Sequence, residues 1–327
     1  MTPLRCTSPS ARRVNSTLHG VAAIAVGAAL FFGPGSTPAQ AWDDTGHQVV
    51  AFIAYQRLTP AAKQKVDHLF PMAFEDKIPS EVDFKERGFV FSPKHLYGPF
   101  TIANWMDDLR DNSYDNPLKD WHHINYRPLF AGIEPKLVVP NTVNVRERIA
   151  AMLNRLEPKN QKDDPATAES LGFLIHLVGD VHQPLHCATR YSPEHKNGDL
   201  GGNLFEIEHP SKNLHSFWDK GGGLFQFQTI RRPLKEAGRQ QLADYAKAVT
   251  DAWPAEAHAS EWKSLDTDDW IKESNGIARD FAYVKITPGA VPTDAYIEQT
   301  KAHCQARIAA AGYRLAEILN QYFQPHP

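Results

Sequence analysis

A mainly α-helical fold is what this sequence predicts, and three observations carry it. Apolar residues recur at three- and four-residue intervals over eight segments, strand-like stretches are few, and several segments open on helix-start residues. The segments are 47–58, 60–69, 99–110, 143–156, 166–183, 231–252, 257–283 and 293–323. Thr59-Pro60 opens the second, because proline's missing N–H costs nothing at the first helical position. Asp164-Pro165 does the same for the fifth, and Pro184 should disrupt that helix near its end. The stripe from Tyr296 to Phe323, with His303, reads as the packing face of a terminal helix, and Trp253, Trp262 and Trp270 read as core and rim. Asn203–Glu208, with a partner near 212–216, suggests a small β-hairpin. Pro- and Gly-rich connectors fall at 71–99, 127–141, 187–203 and 220–223, and no internal repeat is present.

Of 327 residues, 42% are hydrophobic, enough for a sizeable core and too many for a disordered tail. Three cysteines exclude a disulfide framework and a thiolate zinc array. A formal charge of −3 excludes a generally basic surface that coats nucleic acid, so an anionic substrate must be attracted locally. Histidine is the excess, at fifteen residues.

Residues 1–41 read as a secretory signal. Arg5, Arg12 and Arg13 precede an apolar stretch from Leu18 to Phe32, and Ala39-Gln40-Ala41 is a small-x-small cleavage site before Trp42. Cleavage there leaves residues 42–327 as one domain and lowers the basic count from 35 to 32 against 38 acids, a balance of −6. No other stretch approaches membrane-spanning length, so the expected product is exported, periplasmic or secreted, without stable membrane insertion. Cys6 leaves with the signal; Cys187 and Cys304 remain and could pair in an oxidising compartment.

The chemistry concentrates in Phe173-Leu-Ile-His176-Leu-Val-Gly-Asp180-Val-His182-Gln-Pro184-Leu-His186. His176 and Asp180 are four apart and share a helix face, on an apolar helix where ionisable groups are costly without partners. His215 and Asp219 repeat that spacing, Asp107 and Arg110 lie three apart, and His122 follows in Trp-His-His-Ile-Asn. Imidazole and carboxylate suit zinc, and some eight candidate ligands exceed the three or four that one ion needs. That surplus points to a cluster. Cleavage before Trp42 would add a free α-amine, with a pKa near ~8, five residues ahead of His47. His182 faces away from His176 and Asp180 on an ideal helix, and His68, His95, His258 and His326 read as surface or loop residues.

With these residues in view, the sequence closely resembles the zinc-dependent single-strand nucleases of the S-one/P-one type, the 3′-nucleotidase/nuclease family. The matching order is Trp-x4-His, Trp-x-Asp-x-x-Arg, Trp-His, His-x3-Asp-x5-His, Asp-x-Gly-Gly-Asn and His-x3-Asp. The resemblance implies a compact helical domain of the phospholipase C/nuclease type with a cleft for three Zn2+ ions. Asp107, His122, His176 and Asp180 would hold one; the Trp42 amine and carbonyl, His47 and shared Asp180 a second; His186, His215 and Asp219 a third. It further implies that a shared water, its pKa lowered toward ~7, attacks phosphorus in line. Asp107 would position that water, Arg110 would clamp phosphate oxygens, and the third zinc would stabilise the departing 3′-oxygen. Expected substrates are single-stranded DNA and RNA, giving 5′-phosphorylated products, and 3′-mononucleotides, acted on by a monomer. The nucleotide-side loop would use Asp199, Gly202 and Asn203. His123 stands where the family often carries a base-stacking aromatic, and Asn125 where an acid can contact the base, which leaves base preference open.

Two other readings are weighed. Zinc-dependent phospholipase C also starts with tryptophan, but its first histidine lies further on and its last pair typically ends in glutamate, where this chain has Asp219. A non-catalytic zinc-binding protein would not explain Arg110 beside Asp107.

Overall fold

The computed structural model describes residues 42–74, 98–109, 117–139, 142–226 and 230–324. The proposed leader therefore lies outside the described residues, as do Arg110, His95 and His326. In chain order the elements are α1 (Asp44–Gln56), α2 (Pro60–Leu69), α3 (Trp105–Leu109), β1 (Leu129–Phe130), α4 (Val145–Leu156), α5 (Pro165–Val181), β2 (Arg190–Tyr191), α6 (Leu214–Asp219), α7 (Glu236–Ala252), α8 (Ala259–Trp262), α9 (Thr267–Ile277) and α10 (Asp294–Tyr322). Short 3-10 turns lie between them, including Thr101–Asn104 before α3 and Pro184–Cys187 after α5.

The two start signals act as expected. The Thr59 hydroxyl accepts the Ala62 N–H and the Asp164 carboxylate accepts the Thr167 N–H, each ahead of a first-turn proline. Helix α5 is apolar on every side and buried almost throughout from Thr167 to Val181, so it runs through the middle of the core. Helices α4 and α1 pack beside it, and α10 packs along α1. Close approach of that last pair needs Gly312, where a Cβ would lie 2.6 Å from the Ile53 side chain. Thr59 N–H also donates to Asn320 Oδ1 at 2.7 Å, and Asn320 Nδ2 donates to Arg57 O at 3.0 Å, which ties the end of α1 to the end of α10.

Three features differ from the sequence reading. The expected hairpin shrinks to one antiparallel bridge, Glu206–Asn213, because its second arm turns helical: Asn213 accepts the Ser216 N–H and starts α6. The two-stranded sheet is instead parallel, pairing Leu129 with Arg190 and Phe130 with Tyr191. The 257–283 segment breaks into α8 and α9, since Asp266 accepts the Asp268 N–H and starts a new helix there. Cys187 and Cys304 are buried free thiols, so the disulfide held open above is not formed. Among the described residues no helix is long and apolar enough to cross a membrane.

Candidate metal centre

Helix α5 delivers His176 and Asp180 on one face, both fully buried. The His176 Nδ1–H donates to Ala103 O at 2.6 Å, which turns Nε2 inward. The 3-10 turn that supplies this carbonyl runs directly into α3, which brings Asp107. His176 Nε2 lies 3.2 Å from Asp180 Oδ2, 3.8 Å from Asp107 Oδ1 and 3.0 Å from His122 Nδ1. His122 Nδ1 is itself 2.9 Å from Asp180 Oδ2.

His47 comes from the first turn of α1 and stacks on the His176 ring, with centroids 4.1 Å apart. Its Nε2 is 3.5 Å from Asp180 Oδ1. It can lie so close to α5 only because residue 179 is glycine: a Cβ there would fall 2.7 Å from His47 Nδ1. Trp42 is wholly buried beside it, its indole N–H donating to Gly179 O at 3.0 Å, and the next residue's N–H donates to Asp219 O at 3.0 Å.

The remaining ligand candidates form a second cluster. His186, in the turn after α5, donates Nδ1–H to His122 O at 2.6 Å, and His215, on α6, donates Nδ1–H to Gly201 O at 2.6 Å. Both Nε2 lone pairs therefore face each other, 3.1 Å apart, with Asp219 Oδ1 3.5 Å from His215 Nε2. Asp43 and Gly201 each hold a piece of this arrangement by main chain alone. Gly201 has a φ of +64°, and a Cβ on it would meet Leu185 O at 2.6 Å.

Charge in the cluster is unevenly shared. Burial alone would lower the His176 pKa, but the Asp180 and Asp107 carboxylates overcome it and push the imidazole up to about 9. Burial would raise Asp180, yet His176 and His122 hold it well below the usual carboxylate range. Burial lowers His47 and His186, and it raises Asp219 well above its ordinary value.

The donor set fits cations. Three groupings, His47–Asp107–His176, His122–His176–Asp180 and His186–His215–Asp219, each bring one ligand atom per residue within 4.8 Å of the others. Both nitrogens of His47, His122 Nε2 and Asp180 Oδ1 are buried without a hydrogen-bond partner. Leaving such atoms unpaired costs about 1–3 kcal/mol each, and opposed lone pairs repel further. Cations satisfy several at once. The carbonyl bonds to His176, His186 and His215 are the outer supports that orient imidazole ligands.

Several of the residues expected around substrate are held by hydrogen bonds of their own. Asn125 Oδ1 accepts the Thr189 hydroxyl, and His123 is half-buried beside His122. The Asp199 carboxylate is buried, accepting the Arg190 N–H at 3.0 Å and the Tyr283 hydroxyl at 3.1 Å, so it organises its own loop. In that loop Gly202 has a φ of +87° and Asn203 Nδ2 donates to Leu200 O at 2.7 Å. His182 caps α5, its Nδ1–H on Val178 O and its Nε2 accepting from Arg314. Sequence reasoning missed the carbonyls of Ala103 and Gly201, which no side chain announces, and Gln183, which stood inside the quoted motif.

Fold and centre together define a mainly helical protein arranged around three buried histidine–aspartate groupings that could hold metal ions. The chain belongs to the S1/P1 nuclease family, which it matches over residues 42–324, and it is accordingly a hydrolase of nucleic acids, an endonuclease. It is similar to Endonuclease 2 of Arabidopsis thaliana, 26% identical over 288 residues that cover 86% of this chain and 90% of that protein. Nuclease S1 of Aspergillus oryzae (strain ATCC 42149 / RIB 40) is 27% identical over 305 residues, covering 85% and 91%. Nuclease P1 of Penicillium citrinum is 23% identical over 307 residues, covering 86% and 97%.

Proposed function

We propose that this chain is exported, trimmed before Trp42, and works as a zinc-dependent monomer on single-stranded DNA and RNA. Its products would carry 5′-phosphates, and 3′-mononucleotides would lose their phosphate. The observation that carries the reading is the set of buried, inward-facing nitrogen and oxygen atoms left unpaired in a member of a nuclease family.

Asp107, His122, His176 and Asp180 would hold one zinc, His47 and Asp180 with the Trp42 main chain a second, and His186, His215 and Asp219 a third. Zinc there supplies Lewis acidity and a local positive field, which an acidic chain otherwise lacks for a phosphodiester. Asp107 is 7% exposed whereas Asp180 is fully buried, so Asp107 is the carboxylate better able to accept a hydrogen bond from an attacking water. Arg110, three residues further along in sequence, would pair with phosphate oxygens in bidentate fashion. His123 and Asn125 would meet the base, and the 199–203 loop the sugar–phosphate. A base that must leave its stack to reach them favours single strands over duplex.

The test is metal analysis of the mature protein coupled to product mapping on a short single-stranded oligonucleotide. About three zincs per chain with 5′-phosphate ends support the reading, and 3′-phosphate ends overturn it. Mass measurement of the exported protein checks the Trp42 terminus.

A further inference from the structure

Gln183 is fully buried and belongs to none of the three ligand groupings. Its side-chain N–H donates to Asp219 Oδ1 at 2.7 Å, while its Oε1 accepts the Leu185 N–H at 2.5 Å. The Leu185 N–H can only donate, so the amide oxygen faces it and the NH2 group faces Asp219. Leu185 lies in the Pro184–Cys187 turn that carries His186, and Asp219 ends α6, which carries His215. One amide, 36 positions from Asp219, therefore joins these two elements.

The main chain around Gln183 has little freedom to shift. Ser274 Oγ–H donates to Val181 O at 2.6 Å, Arg307 Nε–H to His182 O at 3.3 Å, and Asn275 Nδ2–H to Cys187 O at 2.9 Å. Helices α9 and α10 thus grip both ends of the corner between Asp180 and His186. A changed side chain at 183 cannot be rescued by moving the corner.

We propose that Gln183 is a positioning residue that sets the cation affinity of the His186–His215–Asp219 grouping independently of the groupings around Asp180. This rests on the zinc reading above. Hydrogen-bond partners of ligating side chains are typically worth about 10–100-fold in metal affinity.

The experiment compares zinc stoichiometry and chelator-competition affinities for the mature protein, Gln183→Glu and Gln183→Met, with circular dichroism as the folding control. Gln183→Glu keeps the acceptor for Leu185 but turns a carboxylate toward Asp219; Gln183→Met keeps volume and removes both bonds. The expected result is one zinc weakened about 10–100-fold in both folded variants, with the other two unchanged. Uniform weakening of all three, or no weakening, overturns the positioning role while leaving the zinc reading intact. Unfolding of both variants overturns it too, since Gln183 would then serve the fold as a whole. If the unmodified protein binds no zinc, both readings fall together.

Discussion

Gly179→Ala sets two effects of known size against each other. In an ordinary helix interior the change stabilises by about 0.5–1 kcal/mol, because glycine gives up more backbone freedom on folding. At position 179 the new methyl would sit 2.7 Å from His47 Nδ1 and 2.9 Å from its Cε1. His47 cannot retreat, being stacked on His176 and next to Trp42. Overpacking of this kind costs about 1–3 kcal/mol, so the net outcome is a loss of up to about 2.5 kcal/mol. Gly276→Ala on α9 is the matched control: nothing lies within 4 Å of its added Cβ, so the full propensity gain should appear. Thermal melts of both variants, with and without chelator, should move in opposite directions, by about 2–4 °C per kcal/mol for a chain of this size. Zinc content of Gly179→Ala should fall as well. A Gly179→Ala protein that melts higher and keeps its full metal complement would refute the packing of His47 on α5.

Other outcomes can be checked independently. Burial pushes the Cys187 thiol up to about 12 and Cys304 well above its ordinary value, so native protein at pH 8 should resist a thiol reagent while denatured mature protein reacts at two positions; a native disulfide would leave none. Gly201→Ala, at a φ of +64°, should shift the carbonyl that orients His215 and cost about 1–3 kcal/mol, read as a lower urea midpoint. In chelated protein, His176 is raised from 6.5 to about 9, so the folded state holds a proton that the unfolded chain has lost. Its stabilising contribution is complete below pH 6.5 and is lost as pH rises through 9. Urea midpoints of chelated protein should therefore fall across that window, while metal-loaded protein, where a cation replaces the proton, should stay flat; parallel curves would contradict the site.

Much of the fold could be read from the chain because its signals are local. Thr59-Pro60 and Asp164-Pro165 mark helix starts by chemistry within one turn, and the His176/Asp180 and His215/Asp219 spacings place each pair on a single helix face. What escaped depends on contacts distant in sequence. The second hairpin arm looked extended until Asn213 is seen capping α6, and two lone cysteines give no distance between them. The supports of the centre are harder still: Ala103 and Gly201 act through carbonyl oxygens, an atom every residue has. Gly179 offered a hint, as a helix-weakening residue beside Asp180 in an otherwise strong helix.

The long contact between α1 and α10 has a consequence for synthesis. His47 is near the beginning of the described chain, yet its helix is seated by Gly312 and pinned by Asn320, almost at the other end. A ribosome releases these partners more than 250 residues apart, so a nascent or prematurely terminated polypeptide has no seat for the first helix.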